Sequence, residues 1–346
     1  MAGERLGEHL KESILQQPEA IRRLLADGEP ARMAADRLAT CSRLFLVGTG
    51  TSFHGCLFGQ FLFRSIGLDA FAVPAFEFSQ YPLRLKDSDG LILVSHRGTK
   101  RFSRASLDLM RDSQHWVVIT GEGSPLEGQG VVKTVPQEVS PVHTVSHLAA
   151  MVRLVQLALY LSRMQTPWAH AVADLPSAVA KAIALESQSA LAVDGIAGRR
   201  LVSPVGGGPA WATALEGALK IREAAYVPTV AYEVEEVLHG PMTSMEQRDA
   251  VMLIVEPGPS LERMVEVAAG LKEIGARVVA IGSAADQVAA DPRIVTPALP
   301  EVLAPLVNVV PLQWMAYQLA NSLGVDADTF RKNEPRHAAA YERYEL

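Results

Sequence analysis

Glu216, Lys220 and Glu223 stand four and then three residues apart in the run ALEGALKIRE, so at about 100° per residue all three fall on one face of a helix. Ala214, Leu215, Ala218, Leu219 and Ile221 around them are apolar, which leaves the charges as a single stripe. A stripe of this kind is either the solvated side of an Ala/Leu helix or a functional face. The chain just downstream favours the second, because an extended TVAYEV segment leads to Glu235, Glu236 and then His239-Gly240-Pro241. A histidine held before a Gly-Pro turn, together with carboxylates on the preceding helix, can do acid/base chemistry.

Other stretches have the chemistry of anion sites. The apolar run 201–205 ends in Gly206, Gly207, Gly208 and Pro209, where a strand stops and a helix starts in a tight turn. Residues 44–47 end likewise in Gly48-Thr49-Gly50-Thr51-Ser52 and enter a helix near Phe53. Residues 91–94 end in Ser95-His96-Arg97-Gly98-Thr99-Lys100, with a helix near 103–112. Hydroxyls, glycine-exposed N–H groups and helix dipoles suit phosphate or another oxyanion. Either loop alone is weak evidence, since turns prefer the same residues. Two in one unit, one carrying Arg97 and Lys100, indicate an anion site.

These residues must be positioned by alternating strands and helices. Residues 3–27 have helical periodicity broken at Pro18, FAVPAFEF at 71–78 is expected to be extended, strands are expected at 116–120 and 131–135, and a long apolar helix at about 145–163. That alternation implies a parallel, doubly wound α/β sheet, with ligands beyond the carboxyl ends of its strands. The second half repeats the first, with strands at 251–255, 278–281 and 294–296 and a helix near 303–323. The expected organisation is two tandem five-stranded α/β units, joined through about 165–195. The boundaries are a helical leader over 1–34, a first domain with linker over 35–190, a second over 191–325 and a tail over 326–346.

Composition narrows the classes. The 346 residues are 49% apolar and 20% charged, with a formal net charge of −6, which suits an α/β protein with a substantial core. No Lys/Arg cluster points to nucleic acid or membrane. The start lacks an apolar h-region and no window has about 18 uninterrupted apolar residues, so a cytoplasmic location is expected. Cys41 and Cys56 fit no metal spacing and read as reduced core thiols. His143 and His147 are four apart, yet no acid or Cys accompanies them at ligand spacing, so His143 reads as a cap or substrate-edge residue and no metal is expected. Met110, Met151 and Met164 read as core, while Tyr341 and Tyr344 could cover a sugar face or pack on a partner subunit.

The motifs together resemble the tandem sugar isomerase (SIS) domains that form the isomerase half of glucosamine-6-phosphate synthase and that also occur alone in phosphosugar isomerases and ketosamine-6-phosphate deglycases. The resemblance rests on HLKESILQQPEAI at 9–21, GTS at 50–52, the Ser95 loop, ALEGALKIRE at 214–223, HGP at 239–241, VPLQWMAYQLA at 310–320 and EPR at 334–336. It implies that Glu223 moves a proton between C1 and C2 of an open-chain sugar, with Glu216 and Lys220 in support. It also implies that His239 assists ring opening from the partner subunit of a homodimer. Thr51, Ser52, Ser95, His96, Arg97, Gly98, Thr99 and Lys100 then correspond to the phosphate cradle, and Val142 to a substrate-contacting backbone position. No cofactor is implied.

Three departures qualify the resemblance. The chain opens directly into the leader, so glutaminase activity is not expected. The family's Ser-Gln-Ser-Gly-Glu-Thr loop is here Ser95-His96-Arg97-Gly98-Thr99-Lys100, and a guanidinium holds carboxylate or sulfonate as well as phosphate. The family's tail lysine falls on Ala340, with Lys332 and Arg343 nearby but not in register, which disfavours imine formation. The leading expectation is an enzyme on a phosphorylated sugar, either a deaminase or deglycase of amino sugars and ketosamines or an aldose–ketose isomerase. The alternatives are a non-catalytic sugar-phosphate-binding regulator, or an isomerase of a sugar bearing another anion.

Overall fold

The computed structural model describes residues 6–344. The very ends of the leader and tail, residues 1–5 and 345–346, lie outside the described residues. The chain opens with helices α1 (Glu8–Leu15), α2 (Gln17–Ala26) and α3 (Glu29–Leu38). Pro18 sits in the first turn of α2, so it starts that helix where its missing N–H costs nothing. Then come β1 (Arg43–Gly48), α4 (Thr51–Arg64), β2 (Asp69–Pro74), α5 (Ala75–Gln80), β3 (Asp89–Val94), α6 (Arg101–Asp108), β4 (Trp116–Thr120), β5 (Val131–Lys133) and α7 (Val145–Leu161). After α8 (Leu175–Ile183) and α9 (Glu186–Val193) the pattern recurs as β6 (Val202–Gly206), α10 (Pro209–Ala225), β7 (Tyr232–Glu233), β8 (Ala250–Ile254), α11 (Leu261–Ile274), β9 (Arg277–Gly282), β10 (Arg293–Val295) and α12 (Pro305–Ser322). A short α13 (Pro335–Tyr341) follows.

The strands form two five-stranded sheets, ordered β2-β1-β3-β4-β5 and β7-β6-β8-β9-β10, with every pairing parallel. The two orders are the same order, which establishes the internal repeat. Repetition extends to single residues. Gly48, Gly50 and Gly59 recur at the same spacing as Gly206, Gly208 and Gly217. Gly50 (φ 56°, ψ −128°) and Gly208 (φ 56°, ψ −132°) take the same glycine-specific backbone at the start of α4 and α10. A Cβ on Gly59 would meet Leu46 at 2.5 Å, and one on Gly217 would meet Leu312 at 2.7 Å, so both helices lie where only glycine fits. At the amino end of each sheet a buried aspartate accepts both branches of an arginine, Arg43 to Asp89 (2.9 and 2.7 Å) and Arg200 to Asp249 (2.9 and 2.5 Å).

Two compact units result, and both are discontinuous in sequence. The first holds residues 16–139, 143–173 and 331–344; the second holds residues 6–15, 140–142 and 174–330. In the first, Phe45, Val47, Leu91 and Leu93 bury one sheet face against Ala75, Phe78 and Met110, and α4 and α7 cover the other face. In the second, Val205, Val251, Leu253 and Val278 pack on Met264, Val267 and Leu271 of α11, while α10 and α12 pack together. There, Asp326 and Asp328 accept the N–H groups of Gly7, His9 and Leu10, which caps α1.

Four local expectations need correction. Met164, read as core, is 54% exposed just after α7. AFEF is helical, because Pro74 ends β2 and α5 begins at Ala75, with Ala75 and Phe78 buried. The helix expected near 103–112 is α6 and spans Arg101–Asp108. The TVAYEV segment contributes only Tyr232–Glu233 and a single bridge from Thr229 to Val202.

Candidate functional site

In the second unit, α10 brings Glu216, Lys220 and Glu223 into direct contact. Lys220 Nζ lies 2.5 Å from Glu223 Oε2 and 3.3 Å from Glu216 Oε1. Glu216 and Lys220 are fully buried, and the Glu223 side chain keeps 19% of its exposure. The stripe is therefore not a solvated face. Burying an ion pair costs several kcal/mol of desolvation per ion, which only close geometry offsets, so this arrangement is dear to maintain for stability alone. Of the three, only Glu223 keeps any exposure, and its carboxylate is fixed by the Lys220 ammonium group.

His239 follows a short helical turn and its side chain is 68% exposed, with Nε2 2.9 Å from Glu235 Oε1. Glu235 also accepts Arg263 Nε (2.6 Å) and Nη2 (2.8 Å). The Arg263 guanidinium foremost, and then His239, hold the Glu235 carboxyl down at about 2. The next residue, Gly240, has φ 126°, a conformation that favours glycine.

In the first unit a cavity opens beyond the carboxyl ends of β1 and β3, where the strand order reverses. Thr51 and Ser52 at the start of α4, His96 after β3, and His143 and Ser146 at the start of α7 line it. Ser95 is buried beneath, its carbonyl accepting Thr120 Oγ1 at 2.7 Å. Gly98 has φ 68°, and a Cβ there would lie 2.1 Å from Ser124 Oγ. Arg97 and Thr99 are exposed on the same loop, and Lys100 is half-buried at the start of α6. Burial, with Arg97 and Lys332 as neighbouring cations, keeps Lys100 below the usual lysine range. Lys332 thus lies near this loop. Val142 is fully buried and groups with the second unit, its N–H donating to Ser140 Oγ at 3.3 Å.

Sequence reasoning passed over Glu138. Its carboxylate, 2% exposed, accepts Thr144 N–H (3.0 Å) and Ser146 N–H (2.9 Å), is hydrogen-bonded by Ser146 Oγ, and lies 3.4 Å from His143 Nδ1. It caps α7 from outside the usual N-cap position. Burial opposes its ionisation, yet His143, Ser146 and Thr144 hold it at about 2. His96 moves the other way: burial first, then His143 and Arg97, push it down to about 4. Its Nε2 is buried and makes no hydrogen bond among the described residues. Gly121 leaves room for this ring, since a Cβ there would lie 2.5 Å from its Cε1. Cys41 and Cys56 are buried free thiols, and burial raises both. Among the described residues no helix is long and apolar enough to cross a membrane.

A doubly wound repeat with glycine-led helix starts and a switch-point cavity defines a class, and sequence comparison names it. The SIS domain model matches residues 37–161 and again 199–322, and the chain belongs to the SIS domain family. It is 28% identical over 338 residues to glutamine–fructose-6-phosphate aminotransferase (isomerizing) of Methanothermobacter thermautotrophicus, covering 92% of this chain and 55% of that protein. The chain thus spans about half the length of such relatives. Among solved structures, the C-terminal domain of glucosamine-fructose-6-phosphate aminotransferase from Francisella tularensis superposes with a TM-score of 0.82 at 19% identity, over 94% of this chain and 98% of that one. The tagatose-6-phosphate ketose/aldose isomerase from Escherichia coli superposes with a TM-score of 0.78 at 21% identity, over 93% and 95%. At these identities the structures establish a shared fold.

Proposed function

We propose that this chain is an enzyme that moves a proton between C1 and C2 of an open-chain sugar bearing phosphate or another anion. The observation that carries the proposal is the partly exposed Glu223 side chain, its carboxylate seated 2.5 Å from a fully buried Lys220. As general base, Glu223 takes the proton alpha to the carbonyl, and the resulting enediol is reprotonated at the neighbouring carbon. Lys220 fixes the carboxylate rotamer, and Glu216 from one turn back neutralises the ammonium. With an aldose or ketose the outcome is isomerisation. With an amino sugar or ketosamine, the same abstraction gives an enolamine, which is reprotonated on carbon to an imine that a solvent water hydrolyses to the carbonyl sugar and the free amine. His239, oriented through Glu235 and Arg263, serves ring opening, acting from the partner subunit of a homodimer. The first-unit cavity and its Ser95 to Lys100 loop take the anion, with Thr51 and Ser52 in the cavity lining and the cations Arg97 and Lys100 on the adjoining loop.

The test is solvent exchange in D₂O with a panel of 6-phosphorylated ketoses, amino sugars and ketosamines, read by NMR. Deuterium entering C1 or C2 supports the proposal, and a free amine or ammonia separates deaminase or deglycase from isomerase. Binding of a panel member without exchange would replace the enzyme by a sugar-phosphate sensor. The cationic loop favours one further reading, in which the sugar carries a carboxylate or sulfonate, and uronate or sulfonated substrates in the same panel address it.

A further inference from the structure

The first-unit cavity contains an arrangement that anion binding alone does not require. His143 Nδ1 lies 3.4 Å from Glu138 Oε1 and 3.4 Å from Ser146 Oγ, and its ring stands edge-on to that of His96 with centroids 5.4 Å apart. Glu138 is held in place by the N–H groups of Thr144 and Ser146 and by the Ser146 hydroxyl, so it stays ionised and cannot turn away. With Nδ1 turned to Glu138, Nε2 is the ring nitrogen left for the cavity. On a neutral ring whose proton serves Glu138, Nε2 offers a lone pair, which repels an anion; on a protonated ring it offers N–H.

We propose that anion binding in the first unit is coupled to protonation of His143, the imidazole taking one proton from solvent as an oxyanion closes on one edge while Glu138 holds the other. This rests on the reading that the cavity takes the substrate's anion. The groups facing the site divide by role. On the adjoining loop Arg97, always cationic, attracts the anion together with Lys100 and the nearby Lys332. His96 is neutral through burial and supplies an unpartnered Nε2. His147 also lines the cavity, from one turn further along α7. His143 is the ring set between a fixed carboxylate and the ligand, where a second negative charge favours the imidazolium.

Inorganic sulfate is the probe, because it keeps its double charge at neutral pH and cannot itself supply or absorb the proton. Histidine Cε1–H resonances of the full chain are followed at pH 7.5 with increasing sulfate, with His143→Gln and His96→Gln for assignment. Sulfate is expected to move the His143 resonance towards its imidazolium position, and Glu138→Gln to remove most of that movement. Should Glu138→Gln fail to fold, the affinity profile decides: His143→Gln is expected to weaken sulfate binding roughly tenfold at pH 6, where a charge-assisted hydrogen bond is lost, and much less at pH 8.5. Either an unmoved His143 resonance, including when no sulfate binds, or parallel profiles for the two proteins would overturn the coupling. Deuterium exchange into a sugar is read without sulfate, so failure here leaves the Glu223 reading intact, and loss of exchange leaves this coupling measurable.

Discussion

The two copies build the same helix and fill it with opposite chemistry. Aligned on their shared glycines, Phe58 and Leu62 of α4 and Ser65 just after it stand where Glu216, Lys220 and Glu223 stand in α10. Phe58 and Leu62 are fully buried and make an ordinary core, whereas Glu216 and Lys220 are equally buried and charged. The strand-end loops reverse the contrast. His96, Gly98 and Lys100 of the first copy correspond to Glu256, Gly258 and Ser260 of the second. There Glu256 is buried and accepts Ser283 N–H and Asn308 Nδ2, and Glu301 is raised by its own burial and then by Glu256. One copy thus carries cations at its loops and an apolar helix, the other carboxylates at its loops and an ionic helix. On the function proposed above, the duplicated scaffold would assign anion binding to one copy and proton transfer to the other, since neither role needs both copies to keep the same residues.

The largest test of that division is Glu223→Gln, which should reduce deuterium exchange by about 10²- to 10⁴-fold with circular dichroism unchanged. Near-normal exchange would remove Glu223 as the base. Next, Lys220→Met should lower stability by about 3–5 kcal/mol in urea unfolding by removing the buried cation that faces Glu216 and Glu223. Giving α10 the first copy's character with Glu216→Leu and Lys220→Leu together should recover most of that stability and abolish exchange. A double variant as unstable as the single would mean that the ionic helix is structural.

Arg97→Ala should raise KM for a 6-phosphorylated sugar roughly tenfold, the scale of one charge-assisted hydrogen bond, and barely alter KM for the unphosphorylated parent. Equal effects on both would take Arg97 out of the anion site. The smallest effect concerns pH. His96 has its folded value depressed to about 4, so the folded state binds fewer protons than the unfolded one, whose imidazole titrates near about 6.5. The stability this contributes is present above about pH 6.5 and is lost as pH falls towards about 4. His96→Gln should flatten that part of a pH series of melting temperatures, and an unchanged slope would show that other groups control acid sensitivity.

Much of this was legible in the chain. Strands buried on both faces read as continuous apolar runs, and the 3.6-residue period placed Glu216, Lys220 and Glu223 on one face whatever surrounded them. The glycines of the two copies recur in step because the turns and close helix contacts they allow admit no side chain. AFEF was misread because aromatic residues suit a strand and a short buried helix equally, and only packing on Phe45 decided between them.

Sequence by itself therefore determined the parallel repeat, the loops that end its strands and the register of the charged stripe, since all three follow from local spacing and backbone sterics. Tertiary structure alone decided whether the stripe met water or the core, as burial depends on what packs above a helix. It also decided that Glu138 would cap α7 across a loop and face His143, and that the tail would bring Lys332 towards Lys100. Those contacts join residues whose spacing in the chain carries no signal, because a folded chain sets their distance through the elements between them.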